Sequence, residues 1–313
     1  MIRKEKESFV SSLSGRVDKV ANIERNIARS VFSRKDTVIK VNKNDVKKSY
    51  IVSPGDEISV EYSTEFFSGL VAEDIPLNVI YEDSDILVID KEEKMVVHPA
   101  HGNWDGTLVN ALISRYGKDF SSSDNLRPGI VHRLDKDTSG TLVIAKNSES
   151  LKDLSAQFKE HSNRKYYLAI VDGVLESDIG VIEKNIRRNN RARKTFETCS
   201  GPDGRPAKTS YVVLDRNSTM TLVLVRIYTG RTHQIRVHMK SIFHPVKGDV
   251  LYNRKAREGD QMMLHSYFLE IKHPKSGEMM SFKSSFPLRF KNFFPSQESL
   301  EEKALKIIEK NII

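Results

Sequence analysis

A chain of 313 residues can bury one large core and a small second one. Its 38% hydrophobic and 29% charged composition is that expected of a soluble globular protein, and no apolar run reaches the roughly 18 residues that a bilayer span needs. The single cysteine, Cys199, excludes a disulfide framework and a cysteine-cluster zinc site, and the opening stretch MIRKEKESFVSSLSGR has no apolar segment of the secretory kind, so a cytoplasmic location is expected. A formal net charge of +8 favours a polyanionic partner.

Taken in chain order, residues 14–62 read as a small unit. Arg16 to Phe32 is a polar helical stretch. Short strands follow in DTVIKVNKNDVKKSYIVSPGDEISVEY, with turns at Asn42-Lys43-Asn44-Asp45 and Pro54-Gly55-Asp56. Residues 63–74 read as a linker. Residues 75–295 are dominated by strands, at Asn78 to Tyr81, Ile86 to Asp90, Gly129 to Val131, Leu142 to Ala145, Tyr166 to Val171, Thr209 to Leu214, Thr221 to Ile227 and Tyr267 to Ile271. Helical patterns at Leu108 to Tyr116, Ser150 to His161 and His233 to Ser241 interrupt them without strict alternation. That order predicts an α+β fold with a mixed, largely antiparallel sheet. In the tail, residues 296–313, Ser296 is a candidate N-cap, and Leu300, Ala304, Ile307 and Ile308 share one face, which predicts a docking helix.

The chain lacks a phosphate-cradling glycine loop, a G-x-S-x-G and an H-E-x-x-H, and His233 and His238 are badly spaced for sharing a metal. Neither nucleoside-triphosphate chemistry nor metal hydrolysis is indicated, which leaves carboxylate chemistry. In GIVHRLDKDTSGTLVIAKN, Asp135 by itself reads as a turn residue or helix cap. Three features favour a functional role. Arg133 and Lys136 bracket it with positive charge, Thr138-Ser139-Gly140 can close a tight turn, and YTGRTHQIRVHMKSIFHP supplies Arg231 and Arg236 as partners. Asp137 is the internal competitor.

HRLDKDTSG resembles the signature of the RluA/RluD-type family of RNA pseudouridine synthases. EDIPLNVIYEDSDILVIDK, VVHPAHGNWDGTLVNAL, KYYLAIVDG, GRTHQIRVHM with HPVKGDVLY, and MLHSYFLEIKHPKSGE resemble its other segments in order, over about Glu73 to Pro287. GRVDKV and IKVNKNDVKK…VSPGDEISVEY resemble an S4-like RNA-binding domain, with Lys43 where a glycine usually follows the asparagine. The resemblance implies the pseudouridine synthase catalytic fold and isomerisation of uridine in RNA, with no cofactor or metal. Large-subunit ribosomal RNA is the expected target and transfer RNA the alternative. It makes Asp135 the catalytic aspartate, Arg236 its salt-bridge partner and Tyr167 the aromatic residue facing the base. It also makes Leu264 an apolar residue under the base and Arg133 a group holding the nucleotide out of its helix. Whether Asp135 attacks C1′ or acts at the 2′ position stays open. The sequence departs from the family at Lys91-Glu92-Glu93-Lys94, where a proline turn is usual, and at Phe243, where a glycine is usual.

Without the resemblance, Tyr167 in its apolar strand reads as core, and Arg231 and Lys165 read as sheet-edge or RNA-contact residues. Arg187, Arg188, Arg191, Arg193 and Lys194 read either as a solvated loop or as a surface that tracks phosphates. A monomer is expected. Two other functions fit parts of the pattern: an inactive RNA-binding or ribosome-assembly factor, and a nucleoside hydrolase.

Overall fold

The computed structural model describes residues 2–65, 69–100, 102–117, 120 and 127–313. The chain divides into two compact units, Met1–Gly69 and Leu70–Ile313.

The first unit contains β1 (Ile2–Val10), β2 (Gly15–Arg16), α1 (Val17–Arg25), β3 (Val38–Val41), β4 (Asn44–Asp45), β5 (Ile51–Val52) and β6 (Glu57–Glu65). Its main sheet has the order β1-β6-β3-β4. One face of α1 (Val17, Val20 and Ala21) packs with Val31, Phe32, Ile39, Val41, Val52, Ile58 and Val60. The expected long helix ends at Asn26, which adopts a left-handed φ of 55°. A two-residue turn at Asn42 and Lys43, both with positive φ, joins β3 to β4.

The unit starts earlier than residue 14, because β1 pairs with β6 along its whole length. The sequence hides β1 by alternating Lys4, Glu5, Lys6 and Glu7: an edge strand charged on both faces carries no hydrophobic pattern. The expected linker is also shorter. Strand β6 continues through Glu65, the Val71 carbonyl accepts from Asn110, and the Glu73 carboxylate accepts the N–H of Gly106. Residues 66–68 lie outside the described residues.

The second unit contains β7 (Val79–Glu82), β8 (Ile86–Lys91), α2 (Leu108–Tyr116), β9 (Ser139–Ala145), α3 (Ser148–Glu160), β10 (Arg164–Asp172), β11 (Ile179–Glu183), β12 (Asn185–Arg188), β13 (Phe196–Cys199), β14 (Lys208–Arg216), β15 (Met220–Ile227), α4 (Gln234–Ser241), β16 (Leu264–Lys272), β17 (Met279–Lys283), α5 (Leu288–Lys291) and α6 (Gln297–Glu309). The large sheet runs β11-β14-β15-β10-β16-β9-β8-β7, with β17 also paired to β16. Its described pairings are antiparallel apart from the short β16–β9 contact, so the architecture is mixed α+β as expected.

Strand β10 shows how the two faces are used. Successive side chains point to opposite sides of a strand. Tyr166, Leu168 and Ile170 enter one core together with Phe290, Leu300, Ala304, Ile307 and Ile308, so the C-terminal helix seals that face. Tyr167, Ala169 and Val171 enter the other core with Leu134, Ile235 and Leu264. The second face carries the site.

Candidate active site

The loop bearing Asp135 is fixed from several sides. Gly129 has a φ of +70°, its carbonyl accepts the Ala145 N–H at 2.9 Å, and Ile130 makes an isolated bridge to Ile144. The segment Gly129 to Val131 therefore folds back on β9 and is not the strand its apolar residues suggest. His132 Nε2 accepts the Val143 N–H at 3.0 Å, and its ring stacks on Phe158 of α3 with centroids 4.3 Å apart. Burial, reinforced by Lys165, pushes the His132 pKa down to about 3, which keeps the imidazole neutral and able to accept.

Leu134 is anchored in the core. The Asp135 carbonyl accepts the Thr138 N–H at 3.1 Å, closing a turn. Two residues later Gly140 pairs with Ser266, and a Cβ at Gly140, where φ is +112°, would overlap the Ser266 backbone. Behind the loop, buried Lys91 donates to the carbonyls of Glu92 at 2.7 Å, Met95 at 3.0 Å and Lys136 at 3.4 Å. The Asp135 side chain stays 19% exposed and faces a cavity of about 540 Å³.

The opposite wall begins where β15 turns into α4. The Gln234 side chain accepts from the Thr229 hydroxyl and the Arg231 N–H, and donates to the Lys208 carbonyl, which ties the turn to β14. Arg236, in the first turn of α4, then reaches Asp135: Nη1 donates to Oδ2 at 2.9 Å. The rest of the guanidinium grips Asp249, with Nε to Oδ2 at 2.7 Å and Nη2 to Oδ1 at 2.8 Å. Asp249 is 1% exposed and also accepts the Leu251 N–H at 3.0 Å. Burial works against the charge on Arg236, but its bonds to Asp249 and the nearby Asp135 carboxylate hold its pKa above the usual arginine value. The fork–fork grip thus orients the arginine, and the remaining nitrogen orients Asp135.

His233 caps α4 in a left-handed conformation, φ 57°. The Tyr252 oxygen accepts the Phe196 N–H at 2.8 Å and is hydrogen-bonded to His233 Nδ1 at 2.7 Å. The other ring nitrogen, Nε2, lies 3.7 Å from Asp135 Oδ2. Burial lowers the His233 pKa despite the opposing pull of Asp135, leaving a neutral ring at pH 7.

Tyr167 and Leu264 line the cavity between these walls. Burial raises the Tyr167 pKa, so the phenol keeps its proton and offers a flat, uncharged surface. Arg133, Lys165 and Arg231 also line the cavity. Arg133 is exposed, Lys165 is 6% exposed, and Arg231 Nε donates to the Pro206 carbonyl.

Arg188, Arg191, Arg193 and Lys194 do not line the cavity; they are exposed on the β12–β13 hairpin. Arg188 lies over the Phe196 ring at 5.5 Å, and Phe196 meets His233 edge-on at 5.5 Å, so the root of the hairpin abuts the site. Asp137 is exposed and outside the cavity lining, which separates it from Asp135. Asp249 and Tyr252 were not singled out from the sequence, His233 was weighed only as a metal ligand, and Lys91 was named only as part of a departure from the family's turn. Asp249 and Tyr252 do lie in the quoted segment HPVKGDVLY, but no local spacing reveals that this acid meets an arginine earlier in the chain.

Elsewhere among the described residues, Asp83, Asp85 and His273 bring ligand-capable atoms within 4.8 Å of one another. Asp83 already accepts the N–H groups of Asp85 and Ile86, the Tyr81 hydroxyl and His273, so the cluster is a satisfied turn. The cavity itself presents an oriented carboxylate, a flat aromatic wall and surrounding positive charge. That set suits stabilisation of, or attack on, an electron-poor carbon attached to an anionic polymer.

Residues 85–241 match the family described as RNA pseudouridylate synthase. The chain is 39% identical over 278 residues to an RNA pseudouridine synthase of Bacillus subtilis, covering 88% of this chain and 91% of the relative. It is 41% identical to the ribosomal large subunit pseudouridine synthase D of Borreliella burgdorferi, covering 81% of this chain and 80% of that one. Among solved structures, human RNA pseudouridylate synthase domain containing 1 superposes with a TM-score of 0.57 at 28% identity, covering 73% of this chain and 89% of that chain.

Proposed function

The chain belongs to the RNA pseudouridylate synthase family and is an isomerase acting on RNA, and from that premise we propose that its targets are flipped-out uridines of large-subunit ribosomal RNA, with Asp135 as the catalytic group. The observation that carries the mechanism is the 2.9 Å contact from Arg236 to an Asp135 carboxylate that faces a cavity containing Tyr167 and Leu264. The ribosomal target rests on relatives named ribosomal large subunit pseudouridine synthase D.

Uridine becomes pseudouridine when N1–C1′ breaks, the base turns and C5 joins C1′. Positive charge develops on the sugar, as in glycoside hydrolysis, and Asp135 offsets it, by attack on C1′ or by removal of the 2′ hydrogen. A base leaving its stack costs a few kcal/mol, and the Tyr167 ring with the Leu264 side chain supplies the replacement surface. Arg133, exposed at the cavity and without a hydrogen-bond partner among the described residues, holds the target nucleotide out of the helix. Arg231 and the hairpin cations Arg188, Arg191, Arg193 and Lys194 track phosphates, and the first unit acts as an S4-like RNA-binding domain.

The test is pseudouridine mapping of total RNA from cells with the gene, without it, and complemented with Asp135→Ala. Specific large-subunit sites should vanish without the gene and stay unmodified with the variant. Sites restored by Asp135→Ala would refute the mechanism, and an unchanged map would refute the target.

A further inference from the structure

Lys165 sits on β10 two residues before Tyr167, lines the same cavity and is 6% exposed. Among the described residues its ammonium has no hydrogen bond and no counter-ion. Its recorded neighbour is the Phe158 ring, 5.1 Å away, which is itself stacked on His132. Lys91 and Arg236, also buried, donate to carbonyls or carboxylates. An unpaired buried cation is costly, so its position calls for an anionic partner that arrives with the ligand. Burial lowers the Lys165 pKa to about 8, and the group therefore remains mostly charged at neutral pH.

We infer that Lys165 is a catalytic residue that holds the negative charge of the departing uracil. The inference rests on the uridine reading above. When the N1–C1′ bond breaks, its electron pair stays on N1 and spreads over O2 and O4. Asp135 answers only the charge on the sugar, Arg236 is committed to two carboxylates, and Tyr167 keeps its proton. Lys165 is the uncommitted buried cation of the cavity lining.

A backbone phosphate is the other anion available. The outward-lying Arg133 suits it better than a lysine 94% removed from solvent. Lys165 keeps its proton and hydrogen-bonds a uracil oxygen while the base turns. C5 then bonds to C1′, the C5 proton leaves to solvent, and N1 takes one back, so the sequence balances as an isomerisation.

The experiment uses the full chain and a fragment of large-subunit ribosomal RNA that spans a uridine whose modification is lost without the gene. Lys165→Met should slow single-turnover conversion about 100-fold, the scale of losing one donor to a developing anion. RNA affinity should stay within about twofold, and the salt dependence of binding should not change. A 5-fluoro substituent makes uracil a better leaving group, so the deficit in N1–C1′ cleavage should shrink on RNA carrying 5-fluorouridine at the target. Lys165→Gln should behave alike.

A native rate in both variants would overturn the inference. So would an equal deficit on both RNAs, or weaker binding with a salt slope shallower by about 0.7, the mark of one lost phosphate contact. Failure of the uridine reading would show separately, as RNA left unconverted by the native protein.

Discussion

Lys91 and Lys165 are both buried, and burial pushes both down to about 8, but they occupy opposite surroundings. The wall behind the Asp135 loop is saturated: Lys91 spends its donors on three backbone carbonyls, and Arg236 is filled by Asp249 and Asp135. Lys165 lies over an aromatic face and, among the described residues, its ammonium has no hydrogen-bond acceptor. Burial alone therefore does not assign a role. A buried charge whose hydrogen bonds are complete holds the fold in place, whereas one left open waits for a ligand.

The widest break in that contrast should come from Arg236→Ala. Two carboxylates lose their cation, and Asp249 is the more deeply buried, so denaturant melts should show a loss of about 3–5 kcal/mol. Adding Asp135→Ala should recover little, because Asp249 is still stranded; adding Asp249→Ala instead should recover more. The reverse pattern would mean that the fork serves Asp135 first.

Lys91→Met should cost about 3 kcal/mol, since three buried carbonyls lose their donor at about 1–3 kcal/mol each, partly offset by the charge removed. Turnover should fall with it as the Lys136 carbonyl beside Asp135 is released. A variant as stable as the native protein would put Lys91 on the same footing as Lys165.

Acid sharpens the contrast from the histidine side. Burial pushes His132 and His265 from 6.5 down to about 3, so both are neutral in the fold. Below pH 6.5 the unfolded chain binds protons that the folded chain refuses, so stability should be flat above that pH and fall as pH drops toward 3. Melts should show a loss on the order of 4 kcal/mol by about pH 5, each of the two groups contributing up to about 1.4 kcal/mol per pH unit. A flat profile over that window would show that these rings are already charged.

The smallest effect on stability belongs to Lys165→Met. Removing an unpaired buried charge should leave stability within about 1 kcal/mol of native, or raise it, because methionine fills the same volume without desolvation. A loss near that of Lys91→Met would reveal a hidden partner and end the contrast.

Much of the site was legible because its chemistry is written in contiguous motifs. HRLDKDTSG carries Asp135, KYYLAIVDG carries Tyr167, and HQIRVH carries Arg236. The same alternation that made Tyr167 look like core explains why its neighbour Tyr166 is core: the two point to opposite faces of β10. What stayed hidden depends on folding at a distance. Asp249 becomes the main partner of Arg236 only when the segment after α4 folds back, and Lys91 looks like a surface lysine until Gly140 pairs beside it. Strand β1 was missed because its charges mask it, and Gly129 to Val131 was misread because apolar residues in a turn resemble a short strand.

Strand β16 has a consequence for how the protein is made. It lies between β10 and β9, yet it is contributed from residues 264–272, after both of its neighbours have left the ribosome. Until it emerges, the nascent sheet has a gap, with the facing edges of β10 and β9 unpaired and Leu264 missing from the cavity. Asp135 and Arg236, 101 residues apart, are already synthesised but have no common framework. Closure is thus a late, long-range event, slow in folding terms and exposed to misassociation while it is pending. A chain still being translated can present its first unit and its basic hairpin before it can isomerise anything, so any RNA contact it makes during synthesis precedes chemistry.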